Sequence, residues 1–338
     1  MSSLPRLYVG LDYHVDSIRV CVLDEHGEER LNRSAMNDAE VVAGLVARFG
    51  DPEVVAIEAC CGASDFADEL HEQTGWSVKL ADAGAVRAMK RGPDKTDRGD
   101  AFWLADLARV DHLPEVWLPD AATRQLRRLV RYRRQLAKER REAKQQLRGL
   151  LNEERVAGPT SPWTLAWREW LLSTEELGEE ARWVARRQLE RIDRIDADIT
   201  AVELRLEQAT AEDPVVIRLR GHKGVGLVTA AILRAEVGSF ERFAHGKQLA
   251  RFCGVTPCNR SSGRRTADAG LVKQANRDLR TAVIELAHRL ARWDDRWREM
   301  KQQLVGRGKP RSVAAAAVAN RWVRWLHHQM ILPPSVAA

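Results

Sequence analysis

Four acidic residues stand where a metal site can be built. Asp12 ends one short apolar run, Glu58 ends a second, and Asp97 and Asp100 lie three residues apart in a segment with a helical pattern. Residues i and i+3 share one face of a helix, so Asp97 and Asp100 can serve the same ion. Taken singly, each is equally well explained as a solvated acid. Together they predict a divalent-metal site of the nuclease type, acting on a phosphodiester.

The elements that must position these acids form an α/β domain. Apolar runs at residues 7–12, 18–23 and 54–58 predict strands, and residues 39–49 and 66–72 predict helices. Residues 24–27 have the turn chemistry of a hairpin. Antiparallel first strands are typical of a ribonuclease-H-like fold, whereas a doubly wound nucleotide-binding domain places a helix after its first strand. We therefore expect residues 1–115 to form a ribonuclease-H-like domain.

The middle of the chain, residues 116–212, predicts two long helices packed as a coiled coil. Apolar residues recur at a 3-4 spacing in both, and Arg133 and Arg140 take the vacant positions in the first. Residues 124–148 carry 11 Lys/Arg and only two acidic residues. Such a run is often a solvated face, but its density favours a nucleic-acid contact. The predicted contact residues on this helix are Arg127, Arg131, Arg134, Lys138 and Arg141.

Residues 213–338 predict a mostly α-helical third domain. The turn Gly224-Val225-Gly226 precedes a helical segment and resembles a helix-hairpin-helix element, whose backbone N–H groups bind phosphate; Lys223 adjoins it. A plain tight turn between helices explains it equally well.

A second segment of this domain holds a candidate nucleophile. Ser261 and Ser262 are bracketed by Arg260, Arg264 and Arg265, which could neutralise charge on a phosphate and contact nucleic acid. On sequence statistics alone, a Ser-Ser-Gly segment is more often a flexible turn.

Composition sets the outer limits. The 338 residues, 44% apolar, allow two or three domains with real cores. Residues 213–338 hold 23 basic against 9 acidic residues, which favours a polyanionic partner. The five cysteines show no zinc-ligand spacing and suit a reducing compartment. With neither a signal sequence nor a long apolar run in view, we expect a cytoplasmic, nucleoid-associated protein without membrane contact.

The order of these motifs resembles the DEDD-type transposases. The resemblance rests on the Asp12, Glu58, Asp97-x-x-Asp100 series, the Gly224-Val225-Gly226 turn, the Ser261-Ser262-Gly263 segment and Asn276-x-x-Leu279-Arg280. These bacterial insertion-sequence recombinases, related to the Piv invertases, join a RuvC-like domain through a coiled coil to a C-terminal transposase domain. The match covers essentially the whole chain.

The resemblance implies a specific chemistry. Asp12, Glu58, Asp97 and Asp100 would bind Mg²⁺, and Ser261 would attack DNA to form a phosphoserine that conserves the phosphodiester energy for rejoining. Family members assemble as tetramers in which one protomer's RuvC-like domain meets another's serine segment. They use a noncoding bridge RNA to choose donor and target DNA. The partners expected here are thus double-stranded DNA, a bridge RNA and further copies of the chain, from dimer to tetramer.

Departures from the family pattern keep some questions open. Arg264 follows Gly263 where the family commonly has a second glycine, so Ser262 competes with Ser261. Residues 271–275 also lack the glycine that the family usually has just before the asparagine equivalent to Asn276. A RuvC-like nuclease or junction resolvase using water would need no serine, and an inactive nucleic-acid-binding relic is the non-enzymatic alternative. An actin-like kinase is disfavoured by Tyr13-His14-Val15, and a tyrosine recombinase is excluded because Tyr132 is the last tyrosine.

Overall fold

Two compact units make up the chain. The computed structural model describes residues 6–90, 96–259 and 268–332. The units are Met1–Ala121 and Ala122–Ala338, so the long helices and the C-terminal helices fall within one unit. A mixed α/β sheet region followed by a mostly helical region confirms the expected fold class at that level. The division into domains 1–115, 116–212 and 213–338 stays a prediction.

Strands and helices alternate in the first unit. Its strands are β1 (Leu7–Tyr13), β2 (Ser17–Asp24), β3 (Glu29–Met36), β4 (Pro52–Glu58), β5 (Val78–Ala81) and β6 (Glu115–Val116). Its helices are α1 (Ala39–Val46), α2 (Ala63–Thr74), α3 (Ala83–Met89) and α4 (Asp97–Arg109). The strands and helices predicted at residues 7–12, 18–23, 54–58, 39–49 and 66–72 are confirmed, with small shifts at their ends.

The described residues of this unit form one sheet in the order β3-β2-β1-β4-β5-β6. β1, β2 and β3 are antiparallel neighbours, whereas β1, β4 and β5 are parallel, which confirms the predicted antiparallel start. Asp24 holds the turn between β2 and β3, because its carboxylate accepts the N–H groups of His26 and Glu28, each at 2.9 Å, and the Arg30 guanidinium at 2.7 Å.

Helix α4 lies directly on β1. A Cβ atom at Gly10 would stand 2.0 Å from the Ala101 carbonyl oxygen and 2.6 Å from the Ala105 nitrogen. Only glycine allows the two backbones to approach this closely. Asp12 follows Gly10 by two residues and so leaves β1 on the same face, toward the first turn of α4.

Helices dominate the second unit. They are α5 (Ala121–Glu153), α6 (Leu165–Ser173), α7 (Glu179–Thr210), α8 (Pro214–Arg220), α9 (Leu227–Val237), α10 (Gly246–Phe252), α11 (Arg277–Trp293), α12 (Asp295–Gly306) and α13 (Arg311–Ile331). Two short antiparallel strands, β7 (Pro257–Asn259) and β8 (Asp268–Leu271), accompany them. Among the described residues, no helix is long and apolar enough to cross a membrane.

The two long helices, α5 and α7, run antiparallel and share apolar clusters. Leu126, Val130 and Leu136 pack with Ile195 and Ile199 in one cluster. The arginines in the apolar seam meet acids of the opposite helix: Arg133 binds Glu203 at 2.8 Å and Arg140 binds Asp196 at 2.6 Å. Ionic pairs therefore replace apolar contacts at the two vacant seam positions. The coiled-coil description of this pair stays a prediction.

Candidate functional site

Asp12 and Glu58 lie side by side at one edge of the sheet. β1 and β4 are parallel with Leu11 opposite Ile57, so the next residue of each strand is an acid. Neighbouring strands are about 4.8 Å apart, and residues in register point to the same face. Both side chains are partly buried. Adjacent parallel strands that end together thus bring the first two predicted ligands to one place.

The first turn of α4 supplies the other two acids. Thr96 caps the helix by accepting the Gly99 N–H at 3.2 Å, which fixes where the helix begins. Asp97 and Asp100 follow within that turn; Asp97 is exposed, whereas Asp100 is 8% exposed. Because α4 lies on β1 at Gly10, its first turn lies beside Asp12.

His14 joins two of these carboxylates. Its Nε2 atom lies 3.2 Å from Asp12 Oδ2 and 3.7 Å from Asp97 Oδ1. Asp12, His14 and Asp97 each offer one ligand atom within 4.8 Å of the others. Asn37 holds the turn that carries His14, donating to the His14 and Val15 carbonyls at 2.9 and 3.0 Å. This grouping can hold a divalent metal ion.

Crowding of like charges is evident around Asp12. Burial raises the pKa of its carboxyl above 3.8, the imidazole of His14 opposes that shift, and the carboxylates of Asp100 and Asp97 raise it further. The pKa of the Cys60 thiol is also raised, first by burial and then by Glu58, with Asp12 adding to it. One thiol therefore experiences the charge of both strand-end carboxylates. A divalent cation would relieve this repulsion.

Lys90 is a cation that faces this group of acids. It follows α3 and its ammonium group makes a short ion pair with Asp100 Oδ1. Nearly all of the Asp100 carboxylate is withdrawn from water, so it requires a positive partner. Asp12, Glu58, Asp97 and Asp100 are named the carboxylate cluster below.

Some of the arginines predicted to contact nucleic acid from the basic helix bond instead to other residues of the second unit. Glu236, at the end of α9, is 3% exposed and accepts Arg131 Nε at 3.2 Å and Asn276 Nδ2 at 2.8 Å. Arg127 Nε donates to the Ala235 carbonyl at 2.7 Å. Arg134 forms a short ion pair with Asp278. These contacts join α5 to α9 and α11, so they give the basic residues a structural role as well.

A groove of about 800 Å³ lies between α5, α9 and α11. Arg134, Lys138 and Arg141 line it together with Gly224 and Gly226. The basic helix and the glycine turn, two separate signals in the sequence, thus meet at one surface. Lys138 and Arg141 are exposed, and Lys138 lies 3.6 Å from Glu142. Lys223 is exposed beside the turn.

Comparison with known proteins identifies the family of this chain. Residues 9–155 match the transposase family DEDD_Tnp_IS110, and residues 217–302 match the family described as "Transposase IS116/IS110/IS902 family". The chain belongs to the IS110-type transposase family. The first match contains the whole carboxylate cluster of this family member, and the second contains Ser261 and the glycine turn.

Relatives of this IS110-type chain are themselves named as transposases. It is 28% identical to the "Probable family 20 transposase" of Pseudomonas aeruginosa, with 94% of this chain and 95% of the relative covered. It is 26% identical to the transposase for insertion sequence element IS1111A of Coxiella burnetii, with 94% and 88% covered. It is 30% identical to the "Putative transposase y4qE" of Sinorhizobium fredii, spanning 57% of this chain but only 47% of that relative.

Some predicted residues of this family member fall outside the described residues. They are Arg260, Ser261, Ser262, Arg264 and Arg265, which lie in the segment 260–267 between β7 and β8. The role predicted for each of them stays a prediction.

The sequence analysis did not predict three residues that contact the predicted site residues in the structure. His14 could have been found from the Asp12-x-His14 spacing, because it begins the turn directly after β1 and so stays near the strand-end acid. Lys90 and Glu236 carry no such signal. Their partners, Asp100 and Arg131, meet them only through tertiary structure.

Proposed function

We propose that this chain is a DNA transposase that cuts and rejoins DNA through a serine nucleophile assisted by Mg²⁺. The observation that carries the proposal is the gathering of Asp12, Asp97 and Asp100, with Glu58 on the adjacent strand, at one edge of a mixed sheet. Membership of the IS110-type family supplies the class of reaction.

The carboxylate cluster would hold the metal. Carboxylate oxygens are the hard ligands that Mg²⁺ prefers, and the pKa of Asp12 is raised first by burial and then by the neighbouring carboxylates, both of which a bound cation would offset. When bound, the ion would stabilise negative charge on a phosphodiester. Lys90 would have to release Asp100 to make room, leaving its ammonium group close to a phosphate. Asp12 and Glu58, fixed at their strand ends, would orient the cluster.

Ser261 would be the nucleophile. Its Oγ atom would lose its proton and bond to phosphorus, while the bond from phosphorus to one strand's oxygen breaks and that oxygen takes up a proton. The phosphoserine retains the energy of the broken bond. Attack by a hydroxyl of the recipient strand then releases the serine and completes the exchange. Arg260, Arg264 and Arg265 would neutralise charge beside Ser261, and Ser262 is the alternative nucleophile.

The nucleic-acid partners would be double-stranded DNA, donor and target, and a bridge RNA that selects them. The groove between α5, α9 and α11 supports a backbone contact, because Arg134, Lys138 and Arg141 line it beside the first N–H groups of α9. Arg127 and Arg131 would contribute mainly by holding α5 in place through α9. Lys223 would extend the contact. The active form would be a homo-oligomer, from dimer to tetramer.

The decisive experiment is strand exchange. DNA carrying the element's junction is incubated with the protein, Mg²⁺ and RNA transcribed from the element's flank, and exchanged junctions are quantified. We expect Asp100→Asn and Ser261→Ala to lower exchange by about a thousandfold or more, because each removes an essential part of the reacting group. Ser262→Ala is the matched control and should retain exchange. A protein–DNA adduct linked through phosphoserine should form with the wild type.

Each competing function gives a different result. Cleavage that continues unchanged in the Ser261→Ala protein, with no adduct trapped, would contradict the serine mechanism and indicate a RuvC-like nuclease that uses water. A wild-type protein that binds nucleic acid yet leaves DNA uncut under all these conditions would be an inactive relic.

A further inference from the structure

A second basic surface lies on the C-terminal helices, and none of the residues that line it is among those predicted to bind nucleic acid. Lys247 on α10 and Arg321 and Arg324 on α13 line a pocket of about 620 Å³, together with His245 and Trp325. The three cationic side chains are exposed. Among the described residues, the lining of this pocket includes no acidic side chain. His245, Lys247, Arg321 and Arg324 are called the α10–α13 patch.

Close backbone packing builds this patch. A Cβ atom at Gly246 would lie 2.8 Å from the Arg324 carbonyl oxygen and 2.9 Å from the Arg324 Cα, so α10 begins in contact with α13. The neighbours of Gly246 in the sequence are His245 and Lys247. The glycine therefore brings two basic residues of one element against the arginines of the other.

Buried hydrogen bonds fix the geometry at both ends of α10. His327, 3% exposed, bonds through Nε2 to the Phe243 carbonyl at 2.9 Å, just before α10. Asn320 donates to the Val255 carbonyl at 3.1 Å, just after it. Arg321 and Arg324 lie between these two anchors on α13. The spacing of the charges is thus set before any ligand arrives, which lowers the entropy cost of binding.

The charges of the patch are available to a ligand. Arginines elsewhere in this unit pair with acids, as Arg220 does with Glu207 at 2.6 Å and Arg234 with Asp213 at 2.8 Å. In the described part of the chain, Lys247, Arg321 and Arg324 have no such partner. His245 Nδ1 accepts the Gln248 N–H at 3.2 Å, so its ring proton lies on Nε2 and can be donated. Each polar side chain that lines the pocket can therefore donate a hydrogen bond, which suits an anion.

We infer that the α10–α13 patch binds the phosphodiester backbone of double-stranded DNA. Arg321 and Arg324 lie three residues apart and share a face of α13, so they present adjacent cations to a repeating polyanion. The half-buried Trp325, packed edge-on against His222 at 5.2 Å, gives the pocket a firm apolar floor for a sugar. The choice of DNA rests on the proposed function. The contact is additional to the groove between α5, α9 and α11, and it positions DNA without reading its sequence.

Salt dependence of DNA binding tests the inference. The triple variant Lys247→Gln, Arg321→Gln, Arg324→Gln is compared with the wild type on a short duplex, between about 50 and 200 mM salt. Each lost phosphate contact lowers the slope of log K against log salt by about 0.9 for duplex DNA, so a decrease of roughly two to three is expected. Affinity should fall by about tenfold or more at the lower salt.

Two matched variants control for charge and folding. Arg187→Gln, Arg220→Gln, Arg298→Gln removes the same charge from exposed arginines that are paired with acids, and its slope should stay near that of the wild type. Lys247→Arg, Arg321→Lys, Arg324→Lys keeps the charge and should keep the wild-type slope. If the glutamine variant fails to fold, single substitutions at Arg321 and Arg324 give the same comparison.

The outcomes separate this inference from the proposed function. Equal slopes for the patch variant and the charge control would overturn the patch while leaving strand exchange intact. A loss confined to RNA of the same length would also overturn it, because the inference names DNA. If strand exchange fails but the slope still falls with the patch variant, the proposed function fails and the patch remains. A wild type that binds no duplex overturns both.

Discussion

At the scale of single residues, His14 changes the chemistry expected of the carboxylate cluster. Four carboxylates alone form an all-oxygen site. The imidazole nitrogen of His14 lies 3.2 Å from Asp12 and 3.7 Å from Asp97 and adds a softer ligand. A site that includes this nitrogen should prefer Mn²⁺ to Mg²⁺ more strongly than a site made of oxygen ligands alone. The identity of the residue two positions after Asp12 thus bears on which ion the site accepts.

Replacing His14 should weaken Mn²⁺ binding selectively. We expect His14→Ala to lower Mn²⁺ affinity by about tenfold, the low end for loss of a supporting group, with a smaller change for Mg²⁺. Calorimetric titration measures both affinities, and spin-echo spectroscopy of the Mn²⁺-loaded wild type should detect a directly coupled nitrogen. His26→Ala, which removes an exposed imidazole beside Glu25, is the control. A wild-type spectrum without nitrogen coupling would contradict this ligand role.

Asp24 makes the stability of the hairpin formed by β2 and β3 depend on pH. Burial alone would raise the pKa of its carboxyl, but the N–H groups of Glu28 and His26 and the guanidinium of Arg30 outweigh burial and hold the pKa below 3.8. A carboxyl whose pKa is lowered on folding stabilises the fold above its unfolded pKa, and loses that contribution as the pH falls through its folded pKa.

The Asp24→Asn protein should therefore be less stable than the wild type at neutral pH, and the difference should shrink below about pH 4. Urea unfolding at a series of pH values measures it. Asp16→Asn, at an exposed position, should change the free energy of unfolding by less than about 0.5 kcal/mol throughout. A difference that persists unchanged in acid would show that packing, and not charge, makes Asp24 important.

At the scale of elements, the contact between β1 and α4 holds the site together. Asp12 lies on one of these elements and Asp97 and Asp100 lie on the other, so their separation depends on how closely the two backbones approach. That approach depends on the missing side chain of Gly10. Asp12 and Glu58, by contrast, are held by the ladder between β1 and β4 and do not depend on it.

A Gly10→Ala substitution should displace α4. The new methyl group would overlap the Ala101 carbonyl, a backbone atom that cannot rotate away, and overpacking of this kind costs about 1–3 kcal/mol. We expect denaturant unfolding to show that loss and Mn²⁺ affinity to fall as well. Gly44→Ala in α1, where a Cβ would meet nothing within 4 Å, should instead stabilise by up to about 1 kcal/mol. Unchanged metal affinity in Gly10→Ala would show that the cluster tolerates movement of α4.

Much of the first unit could be predicted from sequence because its signals are local. The strands at residues 7–12 and 54–58 are buried apolar runs that end in acids, and Thr96 marks the start of α4. Short elements such as β5 and α3 were not predicted, since four to seven residues give little periodicity. The ion pair of Arg131 with Glu236 spans 105 residues of sequence, and that of Arg140 with Asp196 spans 56. No local sequence pattern can reveal pairs so far apart.

At the scale of the whole molecule, the chain consists of two compact units with separate apolar clusters. The carboxylate cluster belongs to Met1–Ala121, whereas the α5 groove and the α10–α13 patch belong to Ala122–Ala338. The acids and the principal basic surfaces therefore lie in different units. A metal ion and a nucleic acid should each stabilise mainly the unit that binds it.

Calorimetric unfolding should show this separation. We expect two unfolding transitions, and only the transition of the first unit should move to higher temperature when Mn²⁺ is added. A ligand at 100 times its Kd stabilises the unit that binds it by about 2.7 kcal/mol. Asp12→Asn should abolish that shift without moving the other transition. A single transition that shifts as a whole with Mn²⁺ would show that the two units unfold as one.

Gly10 also gives a route by which a chain of this family can lose its activity while keeping its acidic residues. A chain of this family can be compared with its relatives by whether it keeps the residues proposed for catalysis. Every amino-acid replacement of Gly10 adds at least a Cβ atom where the carbonyl of Ala101 already stands. A copy could therefore keep Asp12, Glu58, Asp97 and Asp100 and still be silent through one change at position 10. In this chain the glycine is present, so Gly10 is a non-catalytic criterion that stands beside the proposed carboxylate cluster and Ser261 when the competence of the chain is judged.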